Sequence, residues 1–389
     1  MNPSANGWIK KLLKQVSEQK YSETETSAFY NKLKQTGFIY GSNINVVLDI
    51  VKPFDLTQEE RCKINLLLTF YFIYIKENPE EDFIDSLIGY YKTINNQKRS
   101  FFEDLFGDKK PDSLLEKMIH KRIHLDDNII TKNFNYFLIN ALLFVDVLGY
   151  QRFLKAESNI KNYVNYLESA IETIVFSVIE AKSKKTEYDN NLIKLFEGSI
   201  RHKHSELPSY KKAISFISQP LEKLYIIDLA CMASWTDKII DTEELEFLKR
   251  LKKDLSINND IISQSVDNIN TFYDKYKEDV AFLSSKNLAQ SFYDNSSKVV
   301  SKLIKRNSKR LINELSDSKE AMALLAQSTQ RNLSEDEQKK IQSQLIDIFK
   351  TIPSLAIFML PGGMLLLPLF VKFIPKLLPS AFDDNRIED

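Results

Sequence analysis

The chain has 389 residues, 43% hydrophobic and 27% charged, which is the balance of an ordinary folded protein and argues against disorder. Lysines plus arginines and aspartates plus glutamates number 53 each, so the chain has no net charge. A partner that binds through charge must therefore contact a local charged patch. The two cysteines, Cys62 and Cys231, lie inside apolar helical patterns, which favours reduced thiols and a reducing compartment.

The N-terminus predicts neither a secretory signal nor a mitochondrial presequence, because it lacks an apolar core and has no arginine before Arg61. We therefore expect the bulk of the chain to stay in the cytoplasm. A first amphipathic helix is predicted, with one face that packs on the body or contacts lipid. Its apolar residues are Trp8, Ile9, Leu12, Leu13 and Val16, opposite Lys10, Lys11 and Lys14.

Glycine and proline are scarce, which favours an all-α fold. There are nine glycines, and between Pro111 and Pro353 only Pro208 and Pro220 occur. Ser22, Thr57 and Ser334 each precede a glutamate by three residues, the spacing of a capping box, and predict helix starts. Two apolar stretches, 64–75 and 134–150, are predicted to be buried helices rather than membrane spans, because one is short and the other contains Asp146.

No glycine pattern for binding phosphate or a dinucleotide is present in the sequence, and no catalytic triad is evident. We therefore expect neither an enzyme nor a bound cofactor. Glu116, His120 and His124 recur every four residues and would share a helix face, which suggests either a metal site or an ordinary polar stripe. His202 and His204, in a charged loop, are interpreted as ordinary histidines.

Residues 224–257 predict two helices joined by an acidic turn, with Leu245, Leu248, Leu251 and Leu255 directed inward. The turn contains Ala233, Asp237, Ile240, Asp241 and Glu244, and in this pattern it resembles the tellurite-resistance TerB family. That resemblance implies a helical bundle and a weak divalent-ion site at Asp237, Asp241 and Glu244. Lys238 replaces the family's usual glycine, and capping of the second helix by Asp241 is the alternative interpretation.

A basic run, KVVSKLIKRNSKR, covers residues 298–310 without an acidic residue. Its cations are Lys298, Lys302, Lys305, Arg306, Lys309 and Arg310. An amphipathic helix with this pattern presents a solvated face, or a surface for anionic lipid or RNA phosphate. We expect no specific DNA binding.

Residues 351–371 form an uncharged apolar segment. As one helix it would span about 31 Å, which is enough to cross a bilayer. Pro353, Pro361 and Pro368 interrupt it, and Gly362 and Gly363 follow the middle proline, so a re-entrant hairpin is equally compatible. An apolar hairpin buried in protein is the third alternative.

The surrounding sequence, NLSEDEQKKIQSQLIDIFKTIPSLAIFMLPGGMLLLPLFVKFIPKLLPSAF, resembles the Letm family in its proline register. The matching positions are Pro353, Pro361, Pro368, Pro375 and Pro379, with Asp347, Lys372 and the closing LPSAF. The resemblance implies an inner-membrane protein of potassium or calcium exchange for protons, with ribosome association. Bacterial proteins of this combined kind resemble those described as Letm-related and biofilm-associated.

Two departures bear on what the resemblance implies. Met364 stands where the family's exchangers have an intramembrane carboxylate, which leaves the span without a titratable group for proton coupling. The chain ends ten residues after Pro379, so we expect the family's ribosome-binding portion to be missing.

We therefore expect three regions: a helical region at 1–150, a TerB-like bundle at 151–314 and a Letm-like region at 315–389. The expected function is a membrane-associated scaffold or regulator at the cytoplasmic membrane, or in the cytoplasm, linked to envelope or biofilm physiology. We expect the partners to be membrane lipid, other proteins or a second copy of this chain. The ribosome is an expected partner only through the resemblance to the Letm family. The alternatives are a soluble divalent-ion sensor and a component of cation/proton transport, with Asp347 and Lys350 at the membrane edge.

Overall fold

The computed structural model describes most of the chain. It covers residues 3–16, 18–47, 56–94, 110–123, 142–182, 185, 189–190, 192–193, 196–197, 207–235, 242–257, 260–276, 288–352, 354–355 and 366–378, with the backbone alone at 18–20 and 288–295. These residues form helices and connecting turns without a strand. The prediction of an all-α fold is confirmed.

Twelve of the helices in the described ranges lie before residue 277. They are α1 (Trp8–Leu13), α2 (Glu18–Glu23), α3 (Thr26–Thr36), α4 (Gln58–Glu77), α5 (Phe83–Ile94), α6 (Pro111–Ile123), α7 (Leu143–Leu154), α8 (Ile160–Ala181), α9 (Tyr210–Ser215), α10 (Pro220–Ser234), α11 (Thr242–Asp254) and α12 (Ile261–Tyr276). Helix α8 is central, since it packs against α5, α7, α9, α10 and α11. The apolar side chains of these twelve helices form one continuous core. We call the described residues from 3 to 276 the N-terminal body.

Five further helices follow: α13 (Leu288–Arg306), α14 (Ser308–Ser316), α15 (Lys319–Gln330), α16 (Glu335–Thr351) and α17 (Leu367–Leu377). Helix α17 packs against α13, α15 and α16 and closes a second, separate apolar core. We call residues 298–378 the C-terminal unit. The three-region division at residues 150 and 315 stays a prediction.

Both apolar stretches that were predicted to be buried helices are helical where they are described, and most of their side chains are buried. Ile64 and Phe70 of α4 are fully buried, and so are Val145 and Tyr150 of α7. Asp146 is tolerated inside α7 because it pairs with Arg122 of α6. Residues 134–141 of the second stretch lie outside the described residues.

Two of the three predicted capping boxes are confirmed, at Thr57 and Ser334, where the side-chain oxygen accepts the N–H of the glutamate three residues later. The predicted start at Ser22 is wrong. Ser22 lies in the last turn of α2, and α3 begins at Thr26 after the extended residue Glu25. Tyr21 is buried against Phe29, with ring centroids 5.8 Å apart, so packing of α2 on α3 outweighs the local capping signal.

Candidate functional site

The C-terminal unit is held together by α17, which lies at the centre of its apolar core. Phe370 of α17 packs on Phe349 of α16, with ring centroids 4.7 Å apart. The hydroxyl of Ser354 donates to the side-chain oxygen of Asn307 at 2.8 Å, which ties the chain after α16 to the α13–α14 junction. The unit therefore has its own tertiary structure, apart from that of the N-terminal body.

A continuous helix through 351–371, one of the forms predicted for the membrane segment, is wrong. Helix α16 ends at Thr351, Ile352 is extended, and α17 begins at Leu367. The physical reason lies in Pro353, which has no N–H with which to continue the helix. The described flanking residues Leu355 and Leu366 are 0% and 1% exposed within the core of the unit.

In the described part of the chain, no helix is both long enough and apolar enough to cross a bilayer. Residues 353, 356–365 and 379, which include Pro353, Pro361, Gly362, Gly363 and Pro379, lie outside the described residues. The re-entrant form of the segment therefore stays a prediction.

The described prolines of the segment belong to α17. Pro368 is exposed in the first turn, where an absent N–H breaks no helical hydrogen bond, whereas Pro375 lies inside the helix and is buried. Lys372 and Lys376 are exposed on the same helix. Helix α17 thus combines a buried apolar face with a cationic outer surface.

The predicted membrane-edge charges lie on the surface of the C-terminal unit. The Lys350 ammonium is 2.5 Å from the Asp347 carboxylate, and their side chains are 54% and 68% exposed. A pair this exposed contributes at most about 1 kcal/mol and is screened by salt. The contact joins neighbouring turns of α16.

The basic run is divided by the fold. Lys298, Lys305, Lys309 and Arg310 are exposed. Lys302 and Arg306 instead contact the N-terminal body: Lys302 Nζ donates to the carbonyl oxygen of Leu56 at 3.0 Å. The structure therefore separates six cations that the sequence presents as one patch.

Arg306 makes a two-pronged ion pair with Glu60 of α4. Its Nη1 donates to Oε2 at 2.7 Å, and its Nη2 donates to Oε1 at 2.9 Å. Glu60 is 1% exposed and also accepts the hydroxyl of Ser4 at 2.7 Å and the N–H of Thr57 at 2.9 Å. Sequence reasoning missed this role of Glu60 because the capping box already accounted for the residue.

Of the predicted TerB-like ion site, the structure describes only Glu244, since Asp237 and Asp241 lie outside the described residues. Glu244 is 3% exposed in the first turn of α11, and its Oε1 lies 3.4 Å from Nζ of Lys182. Leu248, Leu251 and Leu255 are buried, as predicted, whereas Leu245, which was also expected to point inward, is only partly buried. Among the described residues, no three metal-ligating side chains converge.

The structure does not assemble the second possible metal site from its described members. Glu116 is buried and accepts the N–H groups of Gly7 at 3.0 Å and Ile9 at 3.1 Å, which caps α1 from α6. His120 Nδ1 lies 3.5 Å from the Glu59 carboxylate. His124, His202 and His204 lie outside the described residues.

A buried polar cluster in the N-terminal body also escaped sequence reasoning. Asp228 of α10 accepts hydrogen bonds from Tyr30 Oη at 2.8 Å, Ser265 Oγ at 2.6 Å and Lys34 Nζ at 3.4 Å. Burial raises the pKa of Asp228 above its usual value, although Lys34 and the hydrogen bonds act in the opposite direction. These contacts join α3, α10 and α12.

One surface groove of about 500 Å³ lies between α5 and the turn joining α7 to α8. Phe153, Leu154 and Ile160 form its apolar part, and Glu81, Glu157 and Lys161 contribute charges. Ala156 and Asn159 in its wall have positive φ angles of 53° and 60°. No motif in the sequence marked this groove.

The comparisons with known proteins concern the C-terminal unit. A family model described as LETM1-like, RBD matches residues 333–389, about one seventh of the chain. No curated protein and no solved structure matched the chain. The expectation that the portion following the apolar segment is missing stays a prediction, and the RBD model matches the residues of α16, the apolar segment and α17. The TerB-like and biofilm-related resemblances have no such support. The C-terminal region of this chain is thus similar to the ribosome-binding domain of Letm-like proteins.

Proposed function

We propose that this protein is a helical scaffold that associates with the ribosome through its C-terminal unit, and that it acts without catalysing a reaction. The observation that carries the proposal is the match of residues 333–389 to the LETM1-like RBD family. The N-terminal body then serves as the scaffold that other proteins contact. The cytoplasm, or the cytoplasmic face of the membrane, is the corresponding location.

The charge of the C-terminal unit suits a partner rich in phosphate. Residues 298–378 contain 13 lysines and arginines and seven aspartates and glutamates, although the whole chain has no net charge. Cations that neutralise RNA phosphates release counterions, and this supplies much of the affinity of such complexes. The charge excess therefore supports an RNA surface as the contact on the ribosome.

The end of α13 and the start of α14 offer the cations best placed for this contact. Lys305, Lys309 and Arg310 are exposed within six residues of sequence that contain no carboxylate. Two other exposed basic residues of the unit do have carboxylate partners: Arg331 donates to Glu337 at 2.6 Å, and Lys350 pairs with Asp347. We therefore assign the main phosphate contacts to these three exposed residues.

Co-sedimentation of the purified protein with ribosomes over a range of salt concentrations tests the proposal. We expect binding that weakens with salt, and a loss of about tenfold or more in affinity for the triple variant Lys305→Glu, Lys309→Glu and Arg310→Glu. A matched control reverses three exposed lysines of the N-terminal body, Lys211, Lys212 and Lys253. Equal loss in both triple variants, or no sedimentation of the wild type, would exclude the proposal.

Membrane attachment is the second candidate, supported by the uncharged sequence AIFMLPGGML at residues 356–365. A hairpin of these residues dipping into one leaflet would anchor the scaffold and link it to envelope or biofilm physiology. Carbonate washing of membranes tests this with the wild type and with Phe358→Asp. Retention of the wild type and release of the variant would support the anchor, and release of both would exclude it.

A part in potassium, calcium or proton movement would require charge at the membrane edge, for which Asp347 and Lys350 are the candidates. The exposed ion pair between them can be removed by Asp347→Asn, with ion flux in vesicles containing the protein as the readout. An unchanged flux in this variant would remove Asp347 from any such path.

A further inference from the structure

Three cations on α13 occupy one side of the helix. Lys298, Lys302 and Arg306 are spaced four residues apart, and residues at this spacing are neighbours on a helix surface. We call them the basic stripe. Its first member is exposed, whereas the other two contact the N-terminal body through the Leu56 carbonyl and the Glu60 carboxylate. Most of the stripe is therefore covered by the protein itself.

The contact that covers the stripe is polar. The N-terminal body and the C-terminal unit have separate apolar cores. Among the described residues, no helix of one packs along a helix of the other, and hydrogen bonds from Lys302 and Arg306 cross between them. Interfaces without a large apolar area permit relative motion of the parts they join. The contact is thus of a kind that can open without disrupting either core.

Both partners of the ion pair have hydrogen-bonding groups available to them after opening. Glu60 keeps the hydroxyl of Ser4 and the N–H of Thr57. The guanidinium of Arg306 presents two N–H groups side by side, and this geometry suits a phosphate as well as it suits a carboxylate. A phosphate can therefore take the place of Glu60 at Arg306, while the Glu60 carboxylate keeps two neutral hydrogen-bond donors.

We infer that the basic stripe is a second phosphate-binding surface, which Glu60 masks in the closed protein and which ribosomal RNA engages when the C-terminal unit swings away. The inference rests on the proposed ribosome association and adds its regulation. Lys305, Lys309 and Arg310 make the first contact, and the stripe adds Lys302 and Arg306 once the ion pair has opened. The apparent affinity for the ribosome then depends on the fraction of molecules in which the C-terminal unit has separated from the N-terminal body.

The variant Glu60→Gln tests this, because it removes the charge that holds Arg306 while keeping a side chain of the same length. Opening is measured by the distance between spin labels at two exposed alanines, Ala28→Cys on α3 and Ala323→Cys on α15, since Cys62 and Cys231 are buried. Ribosome binding is measured on the same proteins across salt concentrations. Arg306→Gln is the matched variant, since it breaks the same ion pair but removes a cation of the stripe.

We expect Glu60→Gln to lengthen the label distance, to tighten ribosome binding about threefold to tenfold and to steepen its salt dependence. Arg306→Gln should lengthen the distance equally, with less gain in binding. Opening without tighter binding in Glu60→Gln, or an unchanged distance in both variants, would overturn the inference while wild-type binding still supports the proposed function. Absence of wild-type binding to ribosomes overturns both. Binding of the same proteins to anionic vesicles is measured in parallel, and tightening by Glu60→Gln on vesicles but not on ribosomes overturns the inference in favour of a membrane partner.

Discussion

Arg122 on α6 donates two hydrogen bonds to Asp146 on α7, from Nε to Oδ2 at 2.6 Å and from Nη2 to Oδ1 at 3.1 Å. The Asp146 side chain is fully buried, and the Glu168 carboxylate of α8 lies 3.9 Å from Arg122 Nη2. Burial tends to lower the pKa of Arg122, but the two carboxylates outweigh it and the pKa is raised. Three helices of the N-terminal body therefore meet at one buried cation.

Removing Arg122 should be among the most destabilising single changes. Arg122→Met leaves the Asp146 carboxylate buried without its cation, and we expect a loss of about 3–5 kcal/mol in the free energy of unfolding. The double variant Arg122→Met with Asp146→Leu should lose less than Arg122→Met alone, since no carboxylate remains at position 146. Urea unfolding followed by circular dichroism measures both, and a double variant at least as unstable as Arg122→Met alone would contradict this account.

The cap that Glu116 provides should control the order of α1. We expect Glu116→Ala to cost about 1–2 kcal/mol, because the N–H groups of Gly7 and Ile9 lose their acceptor. Amide hydrogen exchange at residues 7–12 should increase more than exchange elsewhere in the protein. The control is Asp112→Ala, in the first turn of α6, the helix that carries Glu116. An equal increase of amide exchange at residues 7–12 in both variants would argue against the capping role.

Glu172 on α8 should make stability depend on pH. Burial, followed by the carboxylates of Glu197 and Glu168, raises the pKa of Glu172 from 4.5 to about 7. The folded protein therefore holds a proton that the unfolded chain releases, so this contribution to stability is full below pH 4.5 and is lost as pH rises through 7.

We expect Glu172→Gln to reduce the fall in the urea midpoint between pH 5 and about pH 8, because glutamine cannot ionise. The exposed Glu180 of the same helix provides the matched variant, Glu180→Gln. If Glu180→Gln and Glu172→Gln change the pH profile equally, the assignment of this dependence to Glu172 is wrong.

Gly37 and Gly7 allow a matched test of backbone conformation. Their φ angles are 81° and 85°, but a β-carbon at Gly37 would lie 1.9 Å from the Ser42 carbonyl oxygen, whereas one at Gly7 would meet no atom within 4 Å. We expect Gly7→Ala to cost about 1 kcal/mol and Gly37→Ala clearly more, since the second adds a backbone clash to the strain. Thermal melting of both variants measures the difference, and equal melting temperatures would contradict it.

Local signals predicted those features that depend on neighbouring residues along the chain. The capping boxes at Thr57 and Ser334 form as predicted because all of their groups lie within one helical turn. The predicted helix start at Ser22 is wrong for the opposite reason. The aromatic contact of Tyr21 with Phe29 is tertiary, and it outweighs the local capping signal. The apolar segment at 351–371 was recognised from its composition, but composition did not show that α16 ends at Thr351.

The candidate site, too, was predicted from the sequence only where its signals are local. The register of prolines and apolar residues pointed to the Letm resemblance, which the family match at residues 333–389 supports. The run of six cations was visible in the sequence as well. The use of Arg306 to pair with Glu60 was not, because the two residues are 246 positions apart.

By itself, the sequence determined the all-α class, the burial of the helices around Ile64 and Tyr150, and the similarity of the last region to a ribosome-binding domain. These follow from hydrophobic period, proline spacing and capping, which act over a few residues. Only the tertiary structure decided which charges are exposed and which are paired. Burial of Glu60, Asp146 and Asp228 requires partners from distant helices, and such pairings arise only when the helices pack.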